Sequence, residues 1–138
     1  MIYLTRRERF NAAHQLVNPN WSEEENFKVY GKCSNPNWHG HNYELFVTIK
    51  GEINEKLGYV ADLKSLSNII NEKVISKLDH KNINLEVSFM KGKVATTENL
   101  AISIWEVLQP YVNELGAELH KIRITETENN SVEYYGEK

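Results

Sequence analysis

The amino-acid sequence predicts an α+β protein in which a four-stranded antiparallel sheet carries two helices on one face. Four segments alternate apolar and polar residues with the period of a strand, and two longer segments repeat apolar residues at helical spacing. The segments follow one another as two strands, two helices and two strands. This separation of strands from helices is typical of an α+β arrangement.

Each strand is predicted from its alternating pattern and from the turn that bounds it. The first strand covers residues 3–14, and the second covers residues 39–50 and ends before a glycine. Residues 119–127 and 132–135 form the third and fourth strands, joined by a hairpin turn at residues 129–131. Both outer strands of such a small sheet leave open edges, so we expect copies of the chain to cover them by forming a homo-oligomer.

The two helices are predicted from apolar spacing and from their capping residues. Asp62 is a suitable N-cap for a helix that ends near Leu78, and Thr96 can cap a second helix in which Pro110 introduces a kink or an early end. Residues 21–32 are polar and are predicted as a loop. A short strand is expected within residues 87–90.

Length and composition restrict the classes of protein to consider. The 138 residues fit a single domain covering 1–138, and 41% hydrophobic with 25% charged residues is ordinary for a globular protein. A net charge of −3 without a basic stripe argues against nucleic-acid binding. The sequence lacks an apolar run long enough for a membrane span. The single cysteine, Cys33, fits a reducing compartment, so we expect a cytoplasmic protein.

Three histidines suggest a metal site. His39 and His41 are two apart on a predicted strand, so both rings point the same way, about 6–7 Å apart along the strand axis. His14 ends the first strand, and the three rings converge if these strands pair antiparallel. Three neutral imidazoles with one open position are the ligand set of a catalytic zinc. The alternative is that all three are ordinary packing or surface histidines.

Cys33 and the pair Asp79-His80 are candidates for proton transfer. Cys33 precedes the first histidine of the second strand by six residues, and it could be a fourth zinc ligand, a reactive thiol or a small buried residue. A carboxylate that orients an imidazole is a recurring catalytic arrangement. Alternatively, His80 simply follows a helix end, where the helix dipole favours a positive charge.

Five sequence blocks resemble those of the 6-pyruvoyl-tetrahydropterin synthase family. Their order and spacing agree over residues 8–136. The blocks are Phe10-Asn11-Ala12-Ala13-His14, the segment from Gly31 to Tyr43 with its Cys-x5-His-Gly-His pattern, Lys77-Leu78-Asp79-His80-Lys81-Asn82, Thr96-Thr97-Glu98-Asn99, and Glu126-Thr127-Glu128-Asn129-Asn130.

The resemblance implies a tunnelling fold, in which four-stranded sheets from several subunits join into a barrel, usually as a hexamer. It implies one Zn²⁺ per subunit held by His14, His39 and His41. Cys33 would be the proton-abstracting thiol, with Asp79 and His80 as its catalytic partners. Glu126 would anchor a pterin through its N–H groups, with Thr97 and Glu98 lining the same pocket.

The activity implied by the resemblance is conversion of 7,8-dihydroneopterin triphosphate to 6-pyruvoyl-tetrahydropterin with release of triphosphate, for which a Mg²⁺ ion could assist. One alternative is the related 6-carboxy-tetrahydropterin synthase of the queuosine pathway, which releases acetaldehyde and triphosphate from the same substrate. Relatives of that type commonly have a shorter Cys-x3-His-Gly-His spacing than Cys33 and His39 have here. Another alternative is a non-catalytic zinc-binding or pterin-binding module, against which the presence of Cys33, Asp79 and His80 argues.

Overall fold

The computed structural model describes residues 1–137 and confirms the α+β class. It contains a π-helical segment at Asn71–Ile75 and 3-10 turns at Gly31–Ser34 and Ser88–Met90. In chain order the helices and strands are β1 (Ile2–His14), α1 (Glu23–Tyr30), β2 (His39–Gly51), α2 (Leu63–Ile70), α3 (Ser76–Leu78), β3 (Lys81–Asn82), α4 (Ile83–Glu86), α5 (Thr97–Glu114), β4 (Glu118–Thr127) and β5 (Asn130–Tyr134).

The sheet has five strands in the order β3-β1-β2-β4-β5. The four long strands pair antiparallel, as predicted. The four-stranded antiparallel prediction is wrong for the edge, where the two-residue strand β3 pairs in parallel with Ala12 and Ala13 of β1. A strand of two residues is too short to show an alternating pattern, so it could not be predicted from the sequence.

Helices α2 and α5 cover one face of the sheet. The core includes Leu66 and Ile70 of α2, Leu100 and Ile104 of α5, and alternate residues of β1, β2 and β4 such as Phe10, Leu45 and Ile124. The residues between them on β1, among them Arg7, Arg9 and Asn11, are exposed on the opposite face. The period of two that predicted the strands therefore separates an apolar face from a polar one.

Two local predictions were wrong. The segment predicted as a loop contains α1, which begins at Glu23 because the N-cap Ser22 accepts a hydrogen bond from the Glu25 N–H at 3.1 Å through its hydroxyl. The short strand expected at residues 87–90 is replaced by a 3-10 turn. Helix α5 continues past Pro110 to Glu114, so the proline does not end the helix early, and the buried residues Leu108 and Val112 lie on either side of it. None of the helices in residues 1–137 is both long enough and apolar enough to cross a bilayer.

Candidate active site

The three predicted metal ligands lie together at one end of the sheet. Antiparallel pairing of β1 with β2 sets His14 opposite His39, and His41 lies opposite Ala12. The ring centroid of His14 lies 4.5 Å from that of His39 and 5.0 Å from that of His41. The ring centroids of His39 and His41 are 5.0 Å apart. One ring nitrogen from each residue lies within 4.8 Å of the other two. The expected convergence of the three rings is confirmed.

The backbone fixes the proton position on His14. Its Nδ1 lies 2.8 Å from the carbonyl oxygen of Ala95, and because a carbonyl only accepts, Nδ1 must donate. Burial lowers the pKa of His14, which is only 2% exposed, although the Ala95 carbonyl opposes that shift. The neutral ring therefore has its lone pair on Nε2, and this buried atom has no hydrogen-bond partner.

His41 presents a second buried nitrogen. Its Nε2 lies 3.1 Å from Oε1 of Glu126, but the two atoms are not aligned as a hydrogen bond, so the nitrogen is left without a bonded partner. Burial lowers the pKa of His41, and the nearby Glu126 carboxylate partly opposes that shift. A buried ring nitrogen without a partner is costly in a folded protein unless something binds it. Two such atoms in one cluster of three imidazoles fit a bound metal ion, and the donor set suits zinc.

A small cavity adjoins this cluster on the β4 side. It has a volume of about 290 Å³ and is lined by Thr97, Glu98, Glu126, Asn130, Ser131 and Val132. The buried hydroxyl of Thr97, at the first turn of α5, donates to Oε2 of Glu126. Glu126 thus has one carboxylate oxygen at Thr97 and the other at His41. Thr97, Glu98 and Glu126, the three residues predicted to bind substrate, thus line one cavity beside the three-histidine cluster.

Asp79 and His80 form a local pair next to the edge strand β3. Oδ1 of Asp79 accepts from the backbone N–H of Asn11 at 2.9 Å, and Oδ2 lies 3.1 Å from Nδ1 of His80. The Asn11 N–H, and to a smaller degree His80, hold the pKa of Asp79 below its usual value. His80 has a left-handed backbone with φ of +60°, and its side chain is 82% exposed. Although these residues are sequence neighbours, their side chains face each other as the catalytic interpretation requires.

Cys33 lies in the 3-10 turn at Gly31–Ser34, beside the end of β1. Its carbonyl oxygen accepts from the Leu16 N–H at 2.7 Å, and Gln15 donates to the neighbouring Ser34 carbonyl at 2.6 Å. The half-buried Cys33 is not part of the ligand-atom cluster that residues 1–137 form, which contains the three histidines alone. Within the same residues, no hydrogen bond links its thiol to Asp79 or His80.

Four residues that contribute to the site could not be recognised as such from the sequence. Ala95 orients His14 through its carbonyl oxygen, and Asn11 binds Asp79 through its backbone N–H. Every residue but proline has these backbone groups, so nothing in the sequence could single them out. Asn130 and Ser131 were predicted only as a turn, and they also line the cavity beside Glu126.

The fold and the histidine cluster define an α+β protein with three side chains placed to hold a metal ion. Comparison with known proteins identifies its family. A family model described as 6-pyruvoyl tetrahydropterin synthase matches residues 3–137. The chain belongs to this family.

Several relatives match along nearly their whole length. A 6-pyruvoyl tetrahydrobiopterin synthase from Dictyostelium discoideum is 48% identical, covering 99% of this chain and 97% of the relative. The protein of that name from Homo sapiens is 45% identical, covering 97% and 91%. The solved structure of Caenorhabditis elegans 6-pyruvoyl tetrahydropterin synthase superposes with a TM-score of 0.92 at 37% identity, covering 99% and 96%. A putative 6-carboxy-5,6,7,8-tetrahydropterin synthase from Archaeoglobus fulgidus is 29% identical, covering 85% and 90%.

Proposed function

We propose that this protein converts 7,8-dihydroneopterin triphosphate to 6-pyruvoyl-tetrahydropterin and triphosphate, with zinc as its cofactor. The observation that carries this proposal is the three-histidine cluster beside a cavity that contains the Glu126 carboxylate. Family membership and the names of the most similar relatives support the same activity. The enzyme would be a lyase, because triphosphate leaves by elimination and the redox change is internal to the substrate.

His14, His39 and His41 would hold the zinc ion, and the cavity beside it would hold the pterin ring. A carboxylate can accept two N–H groups of the pterin at once, and Glu126 is the carboxylate that both Thr97 and His41 approach. Glu98 lines the same cavity, next to Thr97. Bound zinc would polarise the side-chain hydroxyls of the substrate and thereby acidify the adjacent C–H bonds.

The remaining residues would move protons. Cys33, in its thiolate form, would remove protons from the substrate side chain and return them at the ring and side-chain carbons as the elimination proceeds. Asp79 would hold His80 in one orientation through its contact with Nδ1, and the imidazole would stabilise the thiolate. The substrate loses triphosphate while one part of it is oxidised and another reduced, so no external oxidant is needed.

We assign Asp79 and His80 to the site of a neighbouring subunit in a cytoplasmic homo-oligomer, built as a hexamer in which the sheets form a barrel. Within residues 1–137 neither residue bonds Cys33, and the His80 side chain is 82% exposed. The open edges of the sheet, β3 and β5, are where further strands could pair. A pair that lies at such an edge is well placed to act across a subunit interface.

Product analysis tests the activity. The zinc-loaded protein is incubated anaerobically with 7,8-dihydroneopterin triphosphate, and the products are identified by mass spectrometry. A 6-pyruvoyl product with one triphosphate per turnover is expected. A 6-carboxy product with acetaldehyde would reassign the protein to the 6-carboxy-tetrahydropterin synthases, and an absence of triphosphate release would refute an enzyme acting on this substrate.

Replacing Cys33 by alanine separates a catalytic thiol from a metal ligand. Because Cys33 lies outside the histidine cluster, Cys33→Ala should abolish turnover and leave the zinc content at one ion per subunit. Zinc is measured by elemental analysis on the same preparation. Loss of zinc together with activity would make Cys33 a ligand, and full activity with normal zinc would point to another proton acceptor.

Mixing two inactive variants tests whether Asp79 and His80 act on a neighbouring subunit. Cys33→Ala and His80→Asn subunits are unfolded and refolded together, so that mixed oligomers form. If each site combines the two residues from different subunits, roughly a quarter of the sites in a random mixture contain both intact residues, and activity returns. If both residues come from one chain, no site of the mixture is intact and activity stays at the level of the separate variants.

A further inference from the structure

Trp38 has a backbone conformation that a bulky residue rarely adopts. Its φ is +63°, in the left-handed region, and within residues 1–137 the only other non-glycine residue with a positive φ is His80 of the proposed proton-transfer pair. Glycine adopts this conformation without steric cost, whereas an L-residue with a large side chain is strained in it. Such strain is concentrated at functional sites, where the surrounding structure maintains it. A tryptophan at this position therefore indicates that the indole has a role beyond folding.

Packing within the subunit does not account for the Trp38 indole. The chain has three tryptophans, of which Trp105 belongs to the hydrophobic core and Trp21 stacks on Tyr30. The half-buried Trp38 belongs neither to the core nor to the partly buried side chains that pack against it. Within residues 1–137 its ring has no aromatic partner. An indole in these surroundings presents apolar surface that a ligand can cover.

The chain places Trp38 between the turn that contains Cys33 and the start of β2. The Trp38 N–H donates to the Asn35 carbonyl oxygen at 3.1 Å, which closes a turn, and β2 begins at the next residue, His39. The Cys33 carbonyl oxygen accepts from the Leu16 N–H, just past the end of β1. Trp38 and Cys33 therefore lie beyond the same end of the paired strands β1 and β2.

The strand register sets the direction in which a bound substrate would extend. Glu126, the proposed anchor of the pterin ring, contacts His41, and His39 lies two residues nearer the start of β2. A strand rises about 3.3 Å per residue, so Trp38 begins roughly 7–10 Å beyond the level of His41. A substrate anchored at Glu126 whose side chain reaches Cys33 must extend toward this end of the sheet.

We propose that Trp38 is a specificity-determining residue whose indole contacts the three-carbon side chain of the substrate, an inference that rests on the proposed function. The face of the indole packs against the carbon chain, and burial of this apolar surface favours substrates that carry such a chain. A pterin without a side chain ends before it reaches the indole. Trp38 therefore distinguishes pterins by their side chains and not by their rings.

Calorimetric titration of the zinc-loaded protein with two ligands tests this role. Neopterin carries the three-carbon side chain, and unsubstituted pterin lacks it. Trp38→Gly should weaken neopterin binding by about tenfold, as is typical when one aromatic contact is removed from a binding site, and should change pterin binding by less than about twofold. Trp38→Phe, which keeps an aromatic ring, should retain most of the neopterin affinity. Equal weakening of both ligands, or unchanged neopterin affinity in Trp38→Gly, would overturn the inference.

Measurements of stability, zinc content and assembly separate this role from a structural one. Because glycine relieves the left-handed strain and no core contact is lost, Trp38→Gly should unfold at a urea concentration at or above that of the wild type, with the same zinc content. Asn37→Gly is the matched control, since it loosens an exposed position of the same turn, keeps the indole and should leave both affinities unchanged.

Three results would assign the Trp38 indole to another role and overturn the inference. A lower urea midpoint in Trp38→Gly would assign it to packing, loss of zinc would assign it to the placement of His39, and a smaller oligomer in analytical ultracentrifugation would assign it to a subunit contact. All three leave the proposed activity standing. A wild-type protein that binds neither neopterin nor pterin would refute the pterin site of the proposed function, and the inference with it.

Discussion

Asp79 offers a way to separate a catalytic role from a structural one. Its carboxylate accepts the Asn11 backbone N–H through Oδ1 and contacts Nδ1 of His80 through Oδ2. Asparagine retains an oxygen that can accept from Asn11, whereas it removes the negative charge that faces the His80 imidazole. Asp79→Asn should therefore keep the fold and lose the proton chemistry.

The two expected magnitudes are far apart. Because the side chain of Asp79 is about two-fifths exposed, its ion pair with His80 contributes little, and Asp79→Asn should change the free energy of unfolding by less than about 1 kcal/mol. Loss of positioned acid–base chemistry should lower kcat by about 10²–10⁴-fold. Asp79→Ala also removes the acceptor for Asn11, which should cost about 1 kcal/mol more in stability than Asp79→Asn.

Steady-state triphosphate release and urea unfolding at pH 7 supply the two measurements on each variant. A kcat for Asp79→Asn within about threefold of wild type would refute the catalytic role of the pair. A loss of stability by Asp79→Asn as large as that of Asp79→Ala would show instead that the charge maintains the turn before β3. In that case the lower activity would follow from misfolding at the sheet edge.

Two further predictions concern stability. Burial lowers the pKa values of His14 and His41 below the ordinary 6.5, so folding of the metal-free protein favours the neutral form of both rings. The free energy of unfolding, measured by urea titration, should therefore be greatest above pH 6.5 and should fall as the pH drops below 6.5. The zinc-loaded protein should lose stability only at lower pH, because bound zinc keeps the rings deprotonated. A metal-free protein whose stability is flat between pH 7 and pH 5 would contradict this sign. In the core, Ile124→Ala at a 0% exposed position of β4 should lower the free energy of unfolding by about 2–5 kcal/mol. The control Ile53→Ala, at a 50% exposed loop position, should lower it by less than about 0.5 kcal/mol. Equal effects of the two substitutions would contradict the placement of the core.

The three-histidine cluster could be predicted because it depends on the two-residue period of a strand and on the pairing of β1 with β2. His39 and His41 share a face as a consequence of the two-residue period, and His14 meets them because β1 and β2 are long antiparallel neighbours. The apolar alternation that placed the strands also fixed which face each histidine occupies. A one-residue shift in register would have moved His14 out of the cluster and Phe10 out of the core.

Other features depended on interactions that the sequence does not display. Strand β3 has two residues and exists because Lys81 and Asn82 meet Ala12 and Ala13 in space. The tautomer of His14 depends on a carbonyl at Ala95, which lies 81 positions away along the chain. Helix α1, by contrast, had a readable signal in Ser22 followed by three glutamates, and the polarity of the segment concealed it.

The proposed metal site and the proposed proton-transfer pair differ in how far a single chain completes them. One chain completes the cluster of His14, His39 and His41 by pairing two of its own strands. The same chain leaves Asp79 and His80 at the sheet edge, with the imidazole exposed. Under the proposed function, metal binding is therefore a property of the folded subunit, whereas turnover requires a neighbouring subunit. Separation of the subunits should then abolish catalysis while the metal stays bound.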